Sequence, residues 1–204
     1  METPTTALPA PKTRRGELTR QRILDAAERE IGMKGFAEAS ISTITAEADV
    51  AQGTFYVYFR TKEDVLRELV LRMGRRLRHY LTLATAGIDN RLEVERRGIH
   101  AFFRFVRDNP NLYRVVMGSQ FVDEATYRRY YEEFAASYRD ALAGAAARGE
   151  IAPGDAEVRA WALMGVCDMV GRRYALWDKT APLDHAAEEA FAMVAHGLAP
   201  RAAP

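Results

Sequence analysis

The stretch from Ser40 to Lys62, S-I-S-T-I-T-A-E-A-D-V-A-Q-G-T-F-Y-V-Y-F-R-T-K, constrains the fold of this chain more than any other. Ile41, Ile44 and Ala48 recur at i, i+3 and i+7, which sets one apolar stripe on a short helix. Ser40 stands just ahead of the stripe, where its hydroxyl can accept from an otherwise unpaired amide of the first turn. Asp49 and Val50 break the register, and a second short helix is predicted from about Gln52 to Arg60. Phe55 and Phe59 share one face of it at i, i+4, while Gln52, Thr54, Tyr56, Val57 and Tyr58 point elsewhere. Two short helices across a tight turn, the second bearing polar and aromatic groups, describe a helix-turn-helix. Its second helix is of the kind that enters the DNA major groove.

Three positions in this stretch carry a local cost. Thr45 must return its hydroxyl to a carbonyl one turn back. Asp49, at the break in register, can take up a left-handed turn, which Asp tolerates better than most residues. Ala51 cannot cap the second helix, which forfeits about 1 kcal/mol. With Ala48, Val50, Gly53-Thr54-Phe55-Tyr56, Tyr58-Phe59, Lys62-Glu63 and Leu66, the chain from about Leu18 to Leu66 resembles the tetracycline-repressor (TetR-type) family of bacterial regulators. That family usually has Ala, Gly and Ser or Thr where Thr45, Asp49 and Ala51 stand. The resemblance implies a DNA-binding head in which Gln52, Gly53, Thr54 and Val57 face base edges, with Gly53 permitting close approach. It puts Tyr56 and Tyr58 on phosphates, assisted by Ser40 and Lys62. Gln52 can pair with adenine in bidentate fashion, and Thr54 or Val57 can meet a thymine methyl.

Met1 to Pro11, rich in Pro, Thr and Ala, reads as a disordered tail. Lys12, Arg14, Arg15, Arg20 and Arg22 follow, opposed locally by Glu17. A solvated basic run is the plain reading. Its position directly ahead of the helix-turn-helix favours an arm laid along phosphates, with the tail reaching the minor groove. A first helix is expected from Leu18 to about Lys34, capped by Thr19 and stopped at Gly35, with Phe36 packed into the head. From Thr61 a longer helix runs toward Leu83 on a stripe of Val65, Leu66, Leu69, Val70, Met73, Leu77 and Leu81. Gly74 within it implies close packing or a bend. Helical spacing continues over 91–107, 111–118, 123–148, 155–177 and 183–198, with a break at Asp108-Asn109-Pro110. No β-type alternation interrupts it. The fold expected is all-α: a three-helix head at 12–60 and a larger helical ligand-binding and dimerisation body at 61–204.

The formal net charge of +1 means that DNA binding has to come from local patterning rather than from the molecule as a whole. The single cysteine, Cys167, cannot form an intramolecular disulfide, which fits a reducing cytoplasm. No apolar run approaches the roughly 18 residues of a membrane span, and no signal-peptide core opens the chain. His79, His100, His185 and His196 lack zinc-type spacing, and no nucleophile elbow, phosphate loop or dinucleotide fingerprint occurs. Neither an enzyme, a metal site nor a cofactor is therefore expected.

The body carries many large or adaptable side chains, each of which can simply fill a core. The family resemblance implies a small-molecule effector held among Phe102, Phe103, Met117, Gln120, Phe121, Tyr127, Tyr131, Trp161, Met164, Asp168 and Arg172. A hydrophobic, aromatic or acyl-CoA-type molecule is expected, with Arg172 and Arg173 as candidate partners for an anion. The resemblance also implies pairing of the last two helices into a homodimer through Trp161, Val166, Val170, Phe191, Val194 and Leu198, so that two heads match a pseudo-palindromic operator. The competing reading is a helical ligand-binding or adaptor protein whose head binds protein. The basic run and the polar aromatics of the second helix speak against it.

Overall fold

The computed structural model describes Pro11 and residues 13–198. Apart from Pro11, the expected tail lies outside the described residues, and so does Lys12 of the basic run. Every regular element among the described residues is helical. The helices are α1 (Arg14–Lys34), α2 (Ile41–Glu47), α3 (Gln52–Tyr58), α4 (Lys62–Ala84), α5 (Arg91–Asp108), α6 (Pro110–Ser119), α7 (Glu124–Ala147), α8 (Ala156–Gly171) and α9 (Leu183–Leu198). A π-helical stretch, Arg172–Trp177, prolongs α8. The single helix expected over 155–177 is thus continuous but changes its winding after Gly171.

Two compact units share the chain. One comprises residues to Met73 with Asn111–Arg128, the other Gly74–Pro110 with Arg129 onward. The boundary set by sequence at residue 60 falls ahead of both the first half of α4 and residues 111–128, which cluster with the head.

In the first unit, α1 begins four residues earlier than the sequence predicts. Thr13, not Thr19, is the cap: its hydroxyl accepts from the Gly16 amide at 3.1 Å. Thr19 lies inside the helix and returns its hydroxyl to the Arg15 carbonyl. Ile23, Leu24, Ala26, Ala27 and Ile31 are buried along α1, which ends at Gly35 with φ 86°. Asn111, at the start of α6, meets α1 where Gly32 leaves room: a Cβ there would stand 2.5 Å from the Asn111 Cβ and 2.6 Å from its Cα. Arg67 of α4 pairs at 2.6 Å with both Asp64 and Asp123, the latter ahead of α7.

In the second unit α5, α8 and α9 pack on one another around Ile99, Phe103, Leu142, Ala145, Leu163, Ala187, Ala190 and Val194. Asn90 caps α5, and Asn109, pushed out of the helical region ahead of Pro110, ends it. Gly74 packs rather than bends: a Cβ there would lie 3.4 Å from the Tyr130 ring and 3.1 Å from Arg78. Glu95 is buried, only 3% exposed. Arg91 pairs with one of its oxygens and the Tyr138 hydroxyl donates to the other. Both oxygens are satisfied, as an interior carboxylate requires.

Gly32→Ala separates two opposed effects. Helix propensity alone gains about 1 kcal/mol, whereas forcing a methyl into the Asn111 backbone costs roughly 1–3 kcal/mol. Urea denaturation of the variant should show a net loss of stability; a net gain would mean that α1 and α6 do not meet at this point.

Candidate nucleic-acid interface

The helix-turn-helix is built from local satisfaction of polar groups. Ser40 and Thr43 form a reciprocal capping box at the start of α2, each side chain accepting from the other's amide. The Thr45 hydroxyl donates to the Ile41 carbonyl at 2.9 Å and shares the Ser42 carbonyl, which discharges the cost of a buried hydroxyl on the inner face. Asp49 turns the corner with φ 52°, the left-handed conformation expected of it. Arg22 reaches from α1 to hold that corner, donating to the Ala48 and Asp49 carbonyls and pairing with the Asp49 carboxylate. Ala51 starts α3 without a side-chain cap.

The Phe55 and Phe59 rings, 5.7 Å apart, are buried, and they fix which way the rest of α3 points. Phe59 belongs to the cap of α3, so the helix is shorter than the span to Arg60 predicted from sequence. Gln52, Gly53, Tyr56 and Val57 are exposed, and Thr54 and Tyr58 are half-exposed. A Cβ added at Gly53 would meet nothing, so the space its missing side chain leaves opens outward. Tyr58 differs from Tyr56. Its hydroxyl sits 3.5 Å from where a Gly16 Cβ would be, against the first turn of α1.

Several cations expected on phosphates are committed within the head. Lys62 donates to the carbonyls of Phe36 and Ala39, with its ammonium 4.2 Å from the Phe36 ring. Phe36 is therefore half-buried beneath a cation rather than inserted in the core. Arg20 pairs with Glu68 at 3.5 Å and lies over the Phe59 ring at 5.2 Å. Ser40 spends its hydroxyl on the capping box. Arg60, to which the sequence reading assigned no role, is exposed directly after the α3 cap.

With this geometry in hand, residues 23–69 match the family model of bacterial regulatory proteins of the tetR family. The helix-turn-helix segment is similar to that of the tetR family. The HTH-type transcriptional regulator YdgC of Bacillus subtilis is 30% identical over 105 residues, half of this chain and 54% of that protein. The chain thus spans about half the length of this curated relative. Among solved structures, the fatty acid degradation regulator FadR of Bacillus halodurans shares the fold with a TM-score of 0.80 at 20% identity, over 91% of this chain and 96% of that one. FadR of Bacillus subtilis, solved with stearoyl-CoA, has a TM-score of 0.77 at 22% identity, covering 87% and 98%. The tetR family is one of regulators rather than enzymes.

The residues expected to hold an effector do not form one set in the chain's compact units. Met117, Gln120, Phe121 and Tyr127 belong with the tetR-type head, and the others with the second unit. Gln120 is exposed, and Phe121 is 85% exposed on the α6–α7 turn, so neither lines an interior. In the second unit Phe103 is a core residue, Phe102 packs against that core, and the rings of Tyr131 and Trp161 stack with centroids 6.5 Å apart. Arg172 pairs with Asp168 at 2.5 Å and Arg173 with Asp178 at 3.4 Å, so both arginines meet carboxylates of their own chain. Of the expected pairing residues, Val194 and Leu198 face the unit's own core, Val166, Val170 and Phe191 are half-buried against it, and Trp161 is exposed. Among the described residues, no group of three or more His, Cys, Asp or Glu is placed to hold a metal ion. Within the same bounds, no helix is long and apolar enough to cross a membrane.

Burial, reinforced by the nearby charges of Glu95 and Asp168, pushes the Cys167 thiol up to about 12. Burial and the Glu95 charge raise the Tyr138 phenol in the same direction. A raised acid is held protonated by folding, so the stability it confers is complete below the pKa of the unfolded thiol, about 8.5. It falls as pH climbs from there toward 12, because the unfolded chain then binds fewer protons. Native protein at pH 8 should react with a thiol-specific disulfide reagent far more slowly than urea-unfolded protein, and stability should decline above pH 9. Equal rates in the two states would place Cys167 at the surface.

Proposed function

We propose that this chain is a homodimeric transcriptional regulator, a repressor whose two heads bind a pseudo-palindromic operator and leave it when a hydrophobic small molecule binds the body. The observation that carries the reading is the division of α3 into a buried Phe55–Phe59 face and an outward Gln52–Gly53–Tyr56–Val57 face. Those outward groups match what base-edge readout needs: an amide for adenine, apolar contact for a thymine methyl, and a glycine that lets duplex and backbone approach. Thr54 flanks them, Tyr56 is free to reach a phosphate, and Tyr58 supports the edge of the same face.

The assembly reading draws on α8, which is apolar nearly all round and is expected to be covered on every side. Its Val158, Trp161, Ala162, Gly165 and Met169 recur at three- and four-residue spacing on one exposed face, and Met193 is the large exposed apolar residue of α9. A second copy of the same helices would cover this stripe, and two-fold pairing provides the two heads a palindrome requires.

For the effector, the paired state of the interior charges favours a largely apolar molecule. Glu95 is neutralised by Arg91 and Asp168 by Arg172, so a charged guest would have to break an existing pair. The similarity to FadR of Bacillus subtilis, solved with stearoyl-CoA, supports an acyl-CoA-type ligand whose chain is buried and whose charged part is not. The continuous α4, which contributes to both compact units, supplies a covalent route from body to head.

Selection of binding sites from a random duplex pool should yield a palindrome for the wild type. Gln52→Ala should relax preference at one position per half-site, with a loss of about 1–3 kcal/mol in discrimination there; an unchanged preference would move base readout off Gln52. Native mass spectrometry should show a dimer, and Met169→Arg should make it a monomer by placing a charge in the apolar stripe. A monomeric wild type would remove the two-half-site geometry.

A further inference from the structure

The π-helical stretch Arg172–Trp177 is wound against its own sequence. R-R-Y-A-L-W holds no Gly, Pro or β-branched residue, so nothing in it opposes an α-helix. Gly171 enters it at φ −59° and ψ −42°, α-helical values. The apolar spacing of α8 also runs on: Leu163, Cys167, Val170, Tyr174 and Trp177 recur at alternating steps of four and three residues, one face of an α-helix. Leu163, Cys167 and Val170 pack in the core of the second unit. The π winding interrupts the series. It buries Ala175 and Leu176 and leaves Trp177 63% exposed. The segment thus carries two competing apolar registers, and π winding of this kind is rare and gathers at functional positions.

Arg107, in the last turn of α5, selects between the registers. Its Nη2 donates to the Tyr174 carbonyl at 2.7 Å and to the Ala181 carbonyl, ahead of α9, at 2.8 Å. An α-wound stretch would give the Tyr174 carbonyl to the Asp178 amide; here the guanidinium takes it. The hold is incomplete, because Arg107 Nε is buried without an acceptor among the described residues, and a buried donor left unmet costs free energy. We propose that Arg172–Trp177 is a winding switch and that Arg107 is the positioning residue that latches it in the π form. Release of Arg107 rewinds the stretch as α-helix, returns Tyr174 and Trp177 to the inner face and turns Leu176 away from it. Because the stretch joins α8 to α9, rewinding also turns the start of α9 relative to α8. Its use in regulation rests on the pairing reading, in which both helices meet a second copy.

The test is fluorine NMR of the full chain labelled with 5-fluorotryptophan, which places one probe at Trp161 and one at Trp177. Trp177→Phe assigns the two signals. In the wild type the Trp177 signal should show the solvent isotope shift of an exposed ring. Arg107→Met should move that signal and reduce its isotope shift, and Arg107→Lys, which keeps a cationic donor for the carbonyls, should restore both. A cooperatively melting Arg107→Met protein with the wild-type Trp177 signal would overturn the latch. If that variant does not fold, relaxation dispersion of the wild-type Trp177 signal decides: exchange with a less exposed state supports the switch, and a flat profile overturns it. Sedimentation of the same samples separates the two readings. A monomeric wild type whose Trp177 signal still responds to Arg107→Met would overturn the pairing reading and leave the switch in place.

Discussion

A seven-residue helix cannot hold itself together in water, because nucleation alone costs more than its few hydrogen bonds return. α3 exists because Phe55 and Phe59 are buried, and the burial of two large rings, worth roughly 1.5–3 kcal/mol each, sets its rotation as well as its presence. Once these rings face inward, Gln52, Gly53, Tyr56 and Val57 have nowhere to go but outward. The uncapped start at Ala51 and the left-handed Asp49 are tolerated because the rings, together with Arg22 at the corner, over-determine the geometry. The outward face of α3 is thus a consequence of its inward one.

The same economy explains the fate of the basic residues. A cation near a helix C-terminus or a chain reversal meets a cluster of carbonyls that no amide satisfies. Arg22 and Lys62 each fill such a cluster, and Arg107 does the same in the second unit, donating to the Tyr174 and Ala181 carbonyls. Charge density along the sequence is therefore a poor guide to charge available at the surface. What a nucleic acid would see is the remainder after internal demands are met.

This accounts for what the sequence made legible. Features set by near neighbours could be read directly: the Ser40 cap, the hydroxyl of Thr45, the turn at Asp49, the missing cap at Ala51, the stop at Gly35 and the break at Asn109 all follow from residues within a turn or two. The bounds of α9 follow its apolar spacing in the same way. Features set by distant neighbours could not be read. Nothing near Lys62 announces the carbonyls of Phe36 and Ala39, and nothing near Gly32 announces Asn111. The start of α1 lies ahead of its predicted place because Thr13 caps the first turn and Tyr58, distant in sequence, lies against it. Spacing also shows that the last helices are apolar on more than one side without showing which side is spent at home. Val194 and Leu198 close the second unit's core, and Val158 and Met169 are left over.

The interior of the second unit follows one more rule. Glu95, Arg91 and Tyr138 bind α5 to α7 through a carboxylate with both oxygens occupied, and Cys167 of α8 is held as a neutral thiol beside them. A buried charge with every partner present is close to neutral in cost; with one partner removed it is expensive. An interior of this kind resists guests that compete for its hydrogen bonds and yields to those that displace only side chains of similar polarity. Its selectivity is then largely a matter of which contacts it refuses to give up. Phe102 illustrates the apolar side of the same core, its ring standing 3.0 Å from where a Gly171 Cβ would be. Beyond Gly171 α8 gives way to the π-helical stretch, whose Tyr174 carbonyl accepts from Arg107 of α5. This apolar packing thus lies next to a helix whose hydrogen-bond pattern is already altered.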